Sequence, residues 1–217
     1  MELSENIGSS IDYAKKMFRD LGRLVILIVL SIIPIVDLVV AGYFCKVIRE
    51  TPTSSELPEL KDYAAMWVQG LKVAVAAIVY MIVPIILIQL GVGVGFFFGY
   101  PGIITGVAIV TMLIGVILMF FIAIILAMAI VHMVKHNSFG KAFAVGEVLA
   151  IIRKIGWGKY ILWLIIIFVC ALILGAISMI PLIGWLISAI ISPVFGVFAS
   201  RSATFMYSEG APPAPPP

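Results

Sequence analysis

Charge is what this sequence lacks most. Only 12% of its 217 residues are Asp, Glu, Lys or Arg, against about a quarter in an ordinary water-soluble domain. That scarcity excludes a free-standing soluble domain, and a formal charge of only +3 gives no reason to expect a nucleic-acid partner. Cysteine is nearly absent. Cys45 and Cys170 sit in or beside apolar runs and read as small buried residues, too few for a disulfide framework or a metal set. Cys45 beside Lys46, at a membrane edge, leaves acylation open. There is no Ser-His-Asp arrangement, no phosphate loop and no pair of carboxylates at a useful spacing. The chain therefore reads as no enzyme, with no cofactor. His132 and His136 lie four apart and share a helix face, a spacing that suits a divalent metal. No acid or cysteine stands close to them in sequence, so an interfacial pair without metal is expected. Glu147, with Arg153 and Lys154, reads as a solvated helix surface.

What the chain has instead is apolar length. Hydrophobic residues make up 63% of it. Four runs, about 71–98, 103–133, 160–180 and 182–200, reach or approach the roughly 20 residues of a spanning helix. Cations gather between alternate runs. Lys15, Lys16, Arg19 and Arg23 precede the first apolar stretch. Lys46, Arg49, Lys61 and Lys72 follow it. Lys135, Lys141, Arg153, Lys154 and Lys159 lie between the second and third long runs, and Arg201 closes the last. The links FFFGYPG (96–102) and MIPLIGW (179–185) hold none. Positive segments stay in the cytoplasm. The four runs then alternate out and back, with the C-terminus cytoplasmic. The start mixes Glu2, Glu5, Asp12 and Asp20 with its cations and does not read as a signal peptide.

The stretch LVILIVLSIIPIVDLVVAGYFC (24–45) is long enough to cross a bilayer, yet it holds Pro34 and Asp37 near its middle. Two readings stand. A straight span would put the basic residues 1–23 outside. A hairpin broken at Pro34 would keep both basic flanks inside, each arm of about 13 residues and roughly 20 Å, too short for a hydrocarbon core of about 30 Å. The hairpin, re-entrant from the cytoplasmic side, is the favoured reading. The chain then forms hairpins at about 21–49, 71–133 and 160–206, and the pair SIIPIV (31–36) and SMIPLI (178–183) hints at a repeat. Connectors of about 57–70 and 138–157 read as cytoplasmic interfacial helices. In the first, Leu60, Tyr63, Trp67 and Leu71 lie opposite Glu59, Asp62, Gln69 and Lys72. Trp67, Trp157 and Tyr160 read as interface anchors. The fold class is thus an all-α integral membrane protein: four transmembrane helices, an N-terminal broken or re-entrant hairpin and two interfacial helices. It forms one domain over 1–207 with a Pro-rich disordered tail at 208–217.

Few polar groups lie inside the apolar runs. Asp37 and Gln89 are the candidate intramembrane polar site. Asp37 is either a cation or proton site, or a carboxyl at a wet hairpin tip or paired with a cation such as Lys72. Gln89 reads as an interhelical hydrogen bond. Small residues recur every fourth position at Gly184, Ser188, Ser192, Gly196 and Ser200, and at Gly91, Gly95 and Gly99. Such stripes mark close helix packing, within one chain or between copies of a homo-oligomer. The tail SEGAPPAPPP is a polyproline segment, a spacer or a ligand for an aromatic groove of a protein partner.

The stretches AGYFCKVIRE (41–50), LPELKDYAAMWVQGLKVAVAAIVYMIVP (57–84), KAFAVGEVLAIIRKIGWGKY (141–160) and IPLIGWLISAIISPVFGVFASRSATFMY (180–207) together resemble a family of small prokaryotic, largely archaeal, membrane proteins, domain of unknown function 4013. By that resemblance Gly42, Tyr43, Leu57, Pro58, Gly70, Tyr80, Pro84, Phe143, Glu147, Tyr160, Pro181, Gly184 and Arg201 occupy the family's marked positions. The resemblance implies the architecture and an archaeal plasma membrane, and no reaction. The function expected is that of a membrane-organising or partner-anchoring protein in contact with the lipid bilayer. The alternative is a small-solute or ion transporter that uses Asp37 and the polar stripe of the last helix.

Overall fold

A computed structural model describes residues 1–97, 103–181 and 183–211, and it is helical almost throughout. Four helices are long and apolar enough to cross a membrane. They are α4 (Tyr63–Phe97), α5 (Ile103–Lys135), α7 (Trp157–Ser178) and α8 (Gly184–Gly210). Shorter helices precede or join them: α1 (Leu3–Lys15), α2 (Leu21–Ile32), α3 (Leu38–Glu50) and α6 (Val145–Ile155).

The long helices form two antiparallel pairs. In α4–α5, a side chain at Gly91 would strike Met112 and Ala108, and one at Gly115 would strike Ile88 and Pro84. In α7–α8, Gly184 lies against the backbone of Ile177 and Ser178. Away from these seams, both pairs present apolar side chains outward, as helices in hydrocarbon do. The pairs meet at their basic ends. There the Tyr160 hydroxyl of α7 donates to the Ile124 carbonyl of α5; within the second pair, Lys159 of α7 bonds Glu209 of α8 at 2.6 Å.

The apolar stretch 24–45 is broken. Helix α2 stops at Ile32 and α3 starts at Leu38, with Ile35 at φ 72° between them. Pro34 explains the stop, since it lacks an amide hydrogen and clashes with the preceding turn. A β-branched residue at positive φ is strained. The Trp67 indole holds it, donating to the Ile35 carbonyl at 2.9 Å. Leu24 and Leu27 of α2 share one buried cluster with Val39, Val40 and Tyr43 of α3. At the other end of α2, the Asp20 carboxylate caps the helix by accepting from the Arg23 amide at 3.0 Å.

The first connector differs from the sequence expectation. Residues 57–62 are irregular, and residues 63–70 are the opening turns of α4, a continuous helix of 35 residues or about 52 Å. Gly70 and Pro84 both lie within this helix without ending it, so nothing separates an interfacial piece from the span. The buried side is also different. Met66 and Gly70 are covered, whereas Tyr63, Val68 and Leu71 are exposed, because Gly42 of α3 packs directly on Met66 and Leu38 on Gly70. The second connector, in contrast, holds a helix, α6, that buries Val148, Ile151, Ile152 and Ile155 against protein. Gly156, at φ 94°, ends it and lets α7 begin one residue later.

Candidate functional site

The polar chemistry concentrates where the basic ends meet. Helix α1 lies along the C-terminal half of α8 through a buried ladder. The Ser10 hydroxyl donates to Asn6 Oδ1 at 3.3 Å, Asn6 Nδ2 to the Ser202 carbonyl at 3.2 Å, and the Trp163 indole of α7 to Ser202 Oγ at 2.8 Å. Met1 is tied down as well: its carbonyl accepts from Lys159, and its amino group lies 3.9 Å from Glu209. The start of the chain thus lies at the same end of the molecule as the start of α7 and the close of α8.

Beside this ladder runs the irregular segment 51–62, whose carbonyls are held by donors from four directions. Arg201 reaches Ser54, Lys16 reaches Ser55, the Tyr13 hydroxyl reaches Glu56 at 2.9 Å, Lys135 reaches Thr51, and Lys46 reaches Glu59 and Lys61. Helix and sheet ladders would normally satisfy such carbonyls; here side chains do. The Arg201 guanidinium also stacks on the Tyr13 ring at 3.9 Å. Burial raises the Tyr13 phenol above its ordinary pKa, against the opposing pull of Arg201.

A second polar centre joins the two long pairs. His132 of α5 is buried, with Nδ1 2.7 Å from the Tyr207 hydroxyl of α8 and Nε2 2.9 Å from Glu147 of α6. With the ring neutral, Nε2–H donates to the carboxylate and Nδ1 accepts from Tyr207. Lys141 donates to both Glu147 oxygens at 2.8 Å, and His136 bonds the His132 carbonyl at 3.0 Å. The hydrogen bonds from Lys141 first, and from His132 second, lower the Glu147 carboxyl below its usual range. Glu147 is exposed, as expected of a solvated helix surface, and it also bridges α6 to His132 of α5 and to Lys141. Its partners lie on other elements, 6 and 15 positions earlier in sequence, which local pattern reading of α6 does not reach. Among the described residues no three His, Cys, Asp or Glu side chains gather as a metal set.

The sequence-selected residues scatter over this frame. Asp37 stands exposed at the first residue before α3, its carboxylate capping nothing, and no ion pair joins it to Lys72 among the described residues. Gln89 is exposed on the flank of α4, 22 positions beyond Trp67 and so about 33 Å further along. Trp67 is half-buried on the bend, Trp157 is exposed at the start of α7, and Tyr160 is fully buried as a bridge between α7 and α5. Among the stripe residues, Gly184 and Gly91 lie at helix contacts, and Gly196 faces the Phe44 ring of α3. Ser188 is partly buried with an unpartnered hydroxyl, Ser192 is exposed, and the Ser200 carbonyl accepts from Thr204. Gly95 falls within α4, while Gly99 and the prolines of the tail lie outside the described residues. Cys45 is buried and Cys170 half-buried, both free thiols.

Residues 25–183 match the sequence profile of a family described as protein of unknown function (DUF4013). No curated protein and no solved structure matches the chain.

Proposed function

The chain belongs to the DUF4013 family, whose function is unknown, and from its geometry we propose a non-enzymatic membrane-organising or partner-anchoring protein that loads one leaflet of the bilayer. The observation that carries this reading is the outer face of α2. Leu21, Val25, Ile26, Val29 and Ile32 are exposed along it, and Ile33 and Ile35 continue the face into the bend. Twelve residues span about 18 Å, well short of a hydrocarbon core of about 30 Å. Such a face is costly in water, since burying each large aliphatic side chain is worth about 1.5–3 kcal/mol. A helix lying at the headgroup–acyl boundary satisfies it.

On this reading α2 and α3 form a shallow re-entrant wedge, with Trp67 near headgroup level. Asp37 stays at the wet end of the broken helix, where its ionised form costs least. The basic ends face the cytoplasm, which puts α1, α6 and the C-terminus on that side of the plasma membrane. Mass is then uneven across the bilayer, the condition under which inserted helices bind and bend membranes. The Pro-rich tail sequence suits recognition by an aromatic groove on a protein partner. Copies clustered as a ring or lattice in mild detergent would agree with organisation.

Reconstitution into liposomes tests the proposal. The expected result is tubulation or clustering without solute flux, reduced by Val29→Asp, which alters only an exposed position. Flux abolished by Asp37→Asn would replace this reading with the transport one.

A further inference from the structure

Where α1 gives way to α2, the chain leaves a cleft of about 430 Å³ lined by Lys16, Arg19, Asp20, Arg23, Glu56 and Glu59. Its charges are unequally matched. Lys16 reaches Glu56 at 3.4 Å, and Arg23 reaches Asp20 at 3.0 Å. Glu59 is engaged from outside by Lys61 at 2.5 Å. Arg19 is exposed and has no carboxylate within ion-pair distance among the described residues. One cation is left over.

A second observation lies under the first. Tyr43 is fully buried, and its hydroxyl has no hydrogen-bond partner among the described residues. Buried hydroxyls ordinarily find a partner. The guanidinium groups of Arg19 and Arg23 both line the cleft, and an oxyanion oxygen accepts from such donors. A third observation is the apolar border. Phe18, Leu21 and Val25 are exposed next to the cleft and lead onto the outer face of α2.

We infer that this cleft binds the phosphodiester headgroup of a membrane phospholipid, with the acyl chains laid along Phe18, Leu21 and Val25. The inference rests on the reading that α2 faces the bilayer. A phosphodiester carries one negative charge, which the unpaired Arg19 balances. The planar forks of Arg19 and Arg23 suit two phosphate oxygens better than a lysine would. Glu56, at the rim, accepts from a headgroup hydroxyl or ammonium. A free phosphate monoester has a greater charge and no chains, so it meets Asp20 and Glu56 without the compensation that burying the acyl chains provides. The cleft thereby registers the hairpin at a fixed depth: phosphate at the foot of α2, hydrocarbon along it.

The test is a titration of the full chain, purified in a nonionic detergent, with dihexanoyl phosphatidylglycerol, read by native mass spectrometry as retained lipid. Arg19→Gln removes an exposed side chain with no intramolecular ion pair and leaves the fold intact. It should raise the half-saturating lipid concentration at least tenfold, as should Arg23→Gln. Lys141→Gln, at the other polar centre, should leave it unchanged. Glycerol phosphate should fail to compete, and a glycerol phosphate that competed as well as the lipid would overturn the lipid assignment. Val29→Asn separates the two readings. Equal retention by wild type, Arg19→Gln and Arg23→Gln, with Val29→Asn weakened, would overturn the headgroup site and leave the wedge standing. Equal retention by all four would remove both.

Discussion

The two ends of this molecule are built by different rules. In the apolar halves of the long helices, contact follows seams that include glycines, and less is covered: 11%, 22% and 6% of the apolar windows of α4, α5 and α7 are buried within the protein, against 39% of that of α8. At the basic end, the same helices, joined by α1, α3, α6 and the segment 51–62, bury Tyr43, Tyr160, Met66, Met128 and Met206 completely. Hydrocarbon solvates an exposed Ile as well as a neighbouring helix does, so the apolar halves need no common core. The basic end meets water and headgroups, and it must supply a core and partners for its backbone. On this comparison stability resides mainly at the basic end.

Glycine substitution offers the sharpest break of that comparison. A side chain at Gly42 would overlap the Met66 backbone, whereas one at Gly175 meets nothing within 4 Å. Gly42→Leu should destabilise by about 3 kcal/mol or prevent folding. Gly175→Ala should be neutral or stabilise by up to about 1 kcal/mol. Thermal unfolding in detergent measures both, and equal losses would mean that the two ends share the burden of stability.

The buried ladder comes next. Ser202→Ala leaves the Trp163 indole without its acceptor, at a cost of about 1–3 kcal/mol by the same measurement. Trp67→Phe is smaller. It removes the hydrogen bond to Ile35, worth about 0.5–1.5 kcal/mol, and should loosen the bend, read as faster amide exchange at residues 33–37. Smallest is the effect of acid on the His132 centre. The Glu147 carboxyl is held below its usual range in the folded chain, so its contribution is complete above the ordinary carboxylate pKa and is lost as pH falls through the lowered value. The melting temperature of the wild type should drop between pH 6 and pH 3 by more than that of Glu147→Gln. Parallel curves would remove Glu147 from the account.

Much of the apolar half is readable from sequence, because it follows from length and composition alone. Four runs of about 20 residues or more became four long helices, and Pro34 marked the break where α2 and α3 part. Gly91 and Gly184 lay on stripes whose four-residue spacing is itself the geometry of close approach. The basic end was less legible, since its bonds join distant positions. Nothing local ties Asn6 to Ser202, Lys16 to Ser55 or Glu147 to His132. Tyr160 shows the limit of type-based reading: an aromatic at the foot of a span fits an interface anchor equally well, and only the facing carbonyl of Ile124 makes it a buried bridge. The opening turns of α4 show another, for a two-faced pattern marks an amphipathic helix without saying that it is separate from the span that follows.

On the proposed function, the broken stretch 24–45 enters one leaflet without crossing. A fluorophore on a cysteine at Ile33, an exposed position in the bend, tests it most directly in vesicles with quenchers attached at graded depths along the lipid chain. The account predicts strongest quenching just below the headgroups and little at the chain ends. Maximal quenching at the bilayer centre would mean a straight span, and no quenching at any depth would mean a hairpin in water; either contradicts the wedge.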